Sequence, residues 1–170
     1  KMSGHSRWSQ IKHKKALTDK KKGQIFSKLS RLITLAAKKG ADPKSNPALA
    51  QAIENARNVN MPSDNIERAV KKVSEKGQAQ LEELSVEAMG PGGIAVKISA
   101  VTDNRNRTMA EIKKILADND SKLVPPGSLS WMFTRPVTIS GPATQEKIDK
   151  LFEALDDQDD VGDVVSNLQQ

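Results

Sequence analysis

Residues 84–102 read LSVEAMGPGGIAVKISAVT, and this stretch decides the fold. Leu84–Met89 and Ile94–Thr102 have the composition of two strands, and Gly90-Pro91-Gly92-Gly93 between them is a turn by composition. On the N-terminal side, up to Gln78, apolar residues recur with a helical period; beyond it the period changes. The spacing therefore predicts two domains, a basic arm plus helical domain over 1–78 and an α+β domain over 79–170.

Downstream of the hairpin, Asn104 caps a predicted helix carrying Met109, Ile112, Ile115 and Leu116. Ser128–Ile139 reads as a strand, with Pro136 restricting part of it to an edge or bend. A helix with Ile148, Leu151, Phe152 and Leu155 follows, then a short strand, Val161–Val165. A β-β-α-β-α-β order predicts an α+β sandwich with helices on one face of a mainly antiparallel sheet.

Upstream, Lys1–Gly23 has little apolar content and many lysines, and is expected to be an arm that is mobile when free. From Gln24, Ile25, Leu29, Leu32, Ile33 and Ala36 form one helical stripe, while Lys28, Arg31, Lys38 and Lys39 lie largely elsewhere on the wheel. Gly40 and Pro43 end that helix. Asn46-Pro47 starts a second, with Ala48, Leu49, Ala52, Ile53 and Ala56 as its stripe. Pro62 opens a third, with Asp64 in the first turn, Ile66, Ala69, Val70 and Val73 inward, and Gly77 as its stop. Three such helices make a small bundle.

Charge is distributed unevenly along the 170 residues. Residues 1–44 hold 13 Lys/Arg against 2 acids, whereas residues 141–170 hold 2 against 8, within an overall net charge of +6. Such polarity points to a polyanion partner for one end only. With no cysteine, disulfides and thiolate metal sites are excluded, which suits a reducing compartment. No apolar run approaches the ~18 residues of a membrane span, and the first twenty residues lack a signal-peptide core. The expectation is a soluble cytoplasmic protein, monomeric when free, with no membrane or small-molecule partner.

The densest cationic string is Lys12, Lys14, Lys15, Lys20, Lys21 and Lys22, joined by Arg7, His5 and His13. Flexible ammonium groups contact phosphates as point charges without reading sequence. The competing reading is a solvated tail; one-sided clustering and Trp8 inside the cluster argue against it. Trp8 has two readings, stacking on an exposed base or anchoring the arm. Two histidines without cysteine make a poor structural zinc site, so His5 and His13 are read as hydrogen-bond donors to phosphate. Thr102–Thr108 (TDNRNRT) starts a helix with Arg105 and Arg107, cations that oppose the macrodipole there. An anion site and a structural ion pair both account for them. Gly90–Gly93 lacks P-loop and dinucleotide-fold spacing. The acidic end, Asp156, Asp157, Asp159, Asp160 and Asp163, lacks the EF-hand pattern and reads as a helix-to-strand turn facing away from nucleic acid, or as a contact for basic ribosomal protein. No arrangement suggests catalysis, a metal or a cofactor.

These segments resemble the YebC/PmpR family, whose mitochondrial members are translational activators. The resemblance is carried by Gly4-His5-Ser6-Arg7-Trp8 with Ile11-Lys12-His13-Lys14, by Gly23–Leu29, and by Asp42-Pro43 through Asn46-Pro47. It continues through Asn60-Met61-Pro62 and Asp64–Ala69, Gly90–Gly93, Thr102–Thr108, Gly127-Ser128 with Trp131-Met132-Phe133, and Leu155–Val161. The resemblance implies a helical domain plus α+β domains, a cytoplasmic or organellar location and no enzymatic activity. It also implies one of two roles: binding the ribosome near the peptidyl-transferase centre to ease stalling at proline-rich stretches, or regulating transcription through DNA. It carries over His5, Arg7, Trp8, Lys12, His13, Lys14 and Lys15 as an rRNA-contacting set. To these the basic pattern adds Lys20, Lys21, Lys22, Lys28, Arg31, Arg105 and Arg107. Two departures stand out: near 139–142, where the resemblance implies an inserted third domain after the Trp131 segment, Thr134–Ile139 runs almost directly into Gly141-Pro142, so that domain is either lacking or left out of this chain, and Leu123-Val124-Pro125-Pro126 replaces a glycine-rich stretch.

Overall fold

The computed structural model describes residues 18–75 and 80–169, together with the backbone of His5 and Ser6. The first helix, α1, runs Asp19–Ala37. It begins five residues before Gln24, because Thr18 caps it (Thr18 Oγ1 accepts from the Lys21 amide at 3.2 Å) and Asp19 complements the helix dipole in the first turn. The final segment of the expected arm is thus helical. His5–Ser6, also within that arm, forms a two-residue strand, β1. The remainder of the arm lies outside the described residues.

α2 spans Pro47–Asn58 and α3 Ser63–Lys71, continued by a 3-10 turn over Lys72–Ser74. Asn46 caps α2 as its sequence predicts, accepting from the Leu49 amide. Its amide nitrogen also donates to the carbonyls of Ala36 and Gly40, both at 2.8 Å, which ties the end of α1 to the start of α2. Ile25, Leu29 and Ile33 of α1 pack with Leu49, Ile53 and Ala56 of α2 and with Met61, Ile66 and Ala69 to form one buried cluster. Gly77, the expected stop, and the 78/79 boundary lie outside the described residues.

The hairpin forms as read: β2 (Glu82–Met89) and β3 (Ala95–Thr102) pair antiparallel from Glu82↔Thr102 to Met89↔Ala95. Gly92 (φ 71°) and Gly93 (φ 78°) supply the left-handed turn conformations that an L side chain adopts only with strain. Helices α4 (Arg105–Asp118) and α5 (Pro142–Asp157), the short strand β4 (Lys122–Val124) and β5 (Val161–Ser166) complete the unit. The strand order is β1-β5-β3-β2-β4, every neighbouring pair antiparallel.

α4 and α5 cover one face of the sheet, where Val86, Ile98, Ile112, Leu116, Leu151 and Leu155 belong to a single buried cluster. The predicted strand over Ser128–Ile139 is a 3-10 turn, Ser130–Thr134, and the third strand of the series is β4 instead. The hydroxyls explain the difference. Ser128 Oγ, Ser130 Oγ and Thr134 Oγ1 each donate to the carbonyl three residues earlier, at 2.6, 2.9 and 2.8 Å, holding the backbone in turns. Leu129 and Phe133 then fall on the sheet's second face, packed with Ala95. Val137 retains only an isolated parallel bridge to Leu168.

Candidate nucleic-acid interface

α1 carries two stripes. The apolar one faces the helical cluster; the other, Lys21, Gln24, Lys28 and Arg31, recurs at helical spacing and meets the turn between α5 and β5. Lys21 Nζ lies 3.0 Å from Asp157 Oδ1, and Gln24 Nε2 donates to the Asp157 carbonyl at 2.9 Å. Lys28 is buried and its ammonium donates to the Asp156 carbonyl. Burial pulls the Lys28 ammonium down from 10.5 to about 8, outweighing the opposite push from Asp156, Asp159 and Asp157. Arg31 reaches the Asp159 carbonyl at 3.1 Å and Asp160 Oδ1 at 2.6 Å.

Asp160 is the hub of this contact. Its side chain is 2% exposed, and its second oxygen accepts from Arg107 Nη2 at 2.9 Å, Thr108 Oγ1 at 2.8 Å and Gln158 Nε2 at 3.2 Å. Burial alone would raise the carboxyl; the bonds from Thr108, Arg107 and Gln158 more than reverse this and hold it below its ordinary value. The same contacts raise Arg107, foremost its hydrogen bond to Asp160. The acidic end is a helix-to-strand turn, as its sequence reads, and within the chain it is the partner of α1 and α4.

The expected cationic set therefore divides. Lys20 and Lys22 are exposed, off the docked stripe, and have no ion pair among the described residues. Lys21, Lys28 and Arg31 are engaged with the acidic turn. Arg107 adopts the ion-pair arrangement, and Arg105 Nη1 lies 4.0 Å from Glu82 Oε2. Arg7, Trp8, Lys12, His13, Lys14, Lys15 and the His5 side chain lie outside the described residues. Among the described residues no helix is long and apolar enough to cross a membrane, and no group of three or more His, Cys, Asp or Glu side chains is placed to hold a metal.

A cleft of about 810 Å³ opens beside the hub, between α1, α3, the start of α4 and the acidic turn. Arg68 and Lys72, exposed on α3 and its 3-10 extension, line it together with Arg31 and Arg107. The charge pattern did not single out Arg68, Lys72, Thr108, Gln158 or a buried role for Asp160. The available signal was the pairing of a basic helical stripe at 21, 24, 28 and 31 with an acidic end 130 or so residues away.

Two family models match successive parts of this chain: the TACO1/YebC protein N-terminal domain over residues 6–76 and the TACO1/YebC second and third domain over 81–140. The chain belongs to the TACO1/YebC family. A relative from Chloroherpeton thalassium, described as a probable transcriptional regulatory protein, is 50% identical over 156 residues, covering 91% of this chain. One of the same description from Solibacter usitatus is 47% identical over 152 residues. This TACO1/YebC chain spans 62% and 61% of the length of those two relatives. It is also similar to the crystal structure of a conserved hypothetical protein from Aquifex aeolicus, with a TM-score of 0.81 at 30% identity over 96% of both chains.

Proposed function

We propose that this TACO1/YebC protein is a non-enzymatic regulator of gene expression that binds nucleic acid through its basic leader and the exposed lysines at the start of α1. Its target on this reading is ribosomal RNA, and its effect the easing of stalling at proline-rich sequences. The observation that carries the reading is how charge is partitioned. The excess of 13 cations over 2 acids lies in residues 1–44, and the acidic turn that would compensate it is occupied by Lys21, Lys28, Arg31 and Arg107. Lys20 and Lys22 stay exposed next to the lysine-rich leader in sequence, and a dense run of ammonium groups suits RNA recognised by shape and backbone.

Changing Lys12, Lys14 and Lys15 together to Ala is expected to leave the thermal midpoint unchanged and to abolish ribosome co-sedimentation; undiminished pelleting would overturn the reading. The description of the relatives as probable transcriptional regulatory proteins favours a second reading, DNA binding at promoters. Crosslinking in cells followed by sequencing of the bound nucleic acid separates the two, because rRNA and promoter DNA yield different reads.

A further inference from the structure

The cleft beside Asp160 has a chemistry that the leader does not share. Four cations line it, Arg31, Arg68, Lys72 and Arg107, but so do four acids, Asp103, Glu111, Asp159 and Asp160. With charges balanced, a bare phosphate chain gains little by entering. The α3 side of the cleft is purely cationic, whereas the α4 side mixes Asp103 and Glu111 with Arg107. Arg68 is held by the Asp64 carbonyl and Asn65 Oδ1 rather than by an acid. Asp103, just before the α4 cap, and Glu111 within α4 are both exposed; Arg107 Nη2 lies 3.3 Å from Asp103 Oδ1 and Gln158 Nε2 donates to Glu111 Oε2 at 2.6 Å, so a further donor would use their other oxygens. Between the two sides, α1 lines the cleft with the half-buried Phe26 and with Ser27 and Ser30. At about 810 Å³ the cleft lies within the range of small-ligand sites, about 300–1,000 Å³.

We propose that this cleft takes one unstacked nucleotide of a single strand, its phosphate on Arg68 and Lys72, its base against Phe26, and its exocyclic amine on Asp103 and Glu111. Resting on the nucleic-acid reading above, it adds a base preference to an otherwise sequence-blind grip. Adenine, cytosine and guanine carry an amine donor that a carboxylate accepts; uracil carries none. Splayed bases held by an aromatic face and by edge hydrogen bonds are the usual route to reading single-stranded RNA.

The test is fluorescence anisotropy of the full chain with labelled RNA octamers of A, C or U at low salt. The expected result is oligo(U) binding weaker than the other two by about threefold or more, the low end of the net worth of one hydrogen bond. Asp103→Ala with Glu111→Ala should erase that difference while leaving oligo(U) affinity in place. Arg68→Ala with Lys72→Ala, both exposed and so tolerated by the fold, should weaken all three; Phe26→Leu should weaken oligo(A) and oligo(C) while keeping the packing. Equal affinities, or a preference unchanged in these variants, would overturn the cleft assignment and leave the leader's phosphate grip standing. Loss of all binding in the parent protein would overturn both.

Discussion

Replacing Asp160 by Asn keeps the shape of the side chain and removes its charge, so the variant measures what the hub contributes. In the parent, one oxygen takes Arg31 at 2.6 Å and the other takes Arg107, Thr108 and Gln158 at 2.9, 2.8 and 3.2 Å. An amide can keep an acceptor on only one side. With its oxygen toward Arg107, Thr108 and Gln158, its NH2 confronts the Arg31 guanidinium; the Arg31 bond is lost, the Thr108 and Gln158 bonds fall to neutral strength, and the Arg107 bond keeps only its cationic donor. A hydrogen bond to a charged group contributes about 1.5–3 kcal/mol and a neutral one about 1. Both arginines reach water, with side chains 35% and 44% exposed, so neither is stranded as a fully buried charge would be. The expected loss is about 3 kcal/mol, or roughly 6–12 °C in Tm for a chain of this size. Urea denaturation followed by far-UV circular dichroism reads it directly, and a cycle with Arg31→Met should return a coupling of about 1–2 kcal/mol.

The pH dependence supplies an internal control. Because the folded carboxyl lies below the ordinary value of 3.8, its stabilisation is complete above that value and is lost as pH falls through the folded one. The gap between parent and Asp160→Asn should therefore be constant near neutrality and shrink below about pH 4. A variant within about 0.5 kcal/mol of the parent, the range of an ordinary surface substitution, would refute the claim that Asp160 joins the helical layer to the sheet.

Three other outcomes follow from single positions. Lys28 releases its proton at about 8 when folded and at 10.5 when free, so the unfolded chain binds more protons between those values and stability rises with pH across that window. The rise is about 3 kcal/mol relative to Lys28→Met, measured as the difference between their pH–stability curves. Gly92→Ala should cost about 2–4 kcal/mol, since its Cβ meets Thr144 Cγ2 at 2.9 Å and Ile139 Cδ1 at 3.0 Å at a left-handed φ. Gly93→Ala, open in space, should cost only the ~1–2 kcal/mol of backbone strain, so equal losses by denaturant titration would contradict the steric account. Asn46→Asp should keep the α2 cap yet lose both donors to Ala36 and Gly40, making it less stable than the parent by about 1–3 kcal/mol in thermal melts.

The local elements were legible because their causes are local. Asn46 and Asn104 cap the helices that follow them, and Gly90–Gly93 turns the hairpin, as near-neighbour chemistry requires. Where two local signals competed, as over Ser128–Ile139, the segment reads as a strand but hydroxyl-to-carbonyl bonds won, because β4 already takes the edge of β2. The start of α1 was placed late because a run of lysines resembles an unstructured arm until Thr18 is recognised as its cap.

Family membership, the α+β architecture and the gradient from a basic leader to an acidic end can all be read from the order of residues alone, since each depends on neighbours, period or sums. That the two ends of the gradient meet cannot. Lys21, Lys28 and Arg31 find Asp157, Asp156 and Asp160 only after the sheet has brought the α5–β5 turn against α1, across 128 or more positions of chain. Long-range pairing of this kind is selected by packing geometry, not by propensity, and it separates Lys21, Lys28 and Arg31, which brace the fold, from Lys20 and Lys22, which stay exposed.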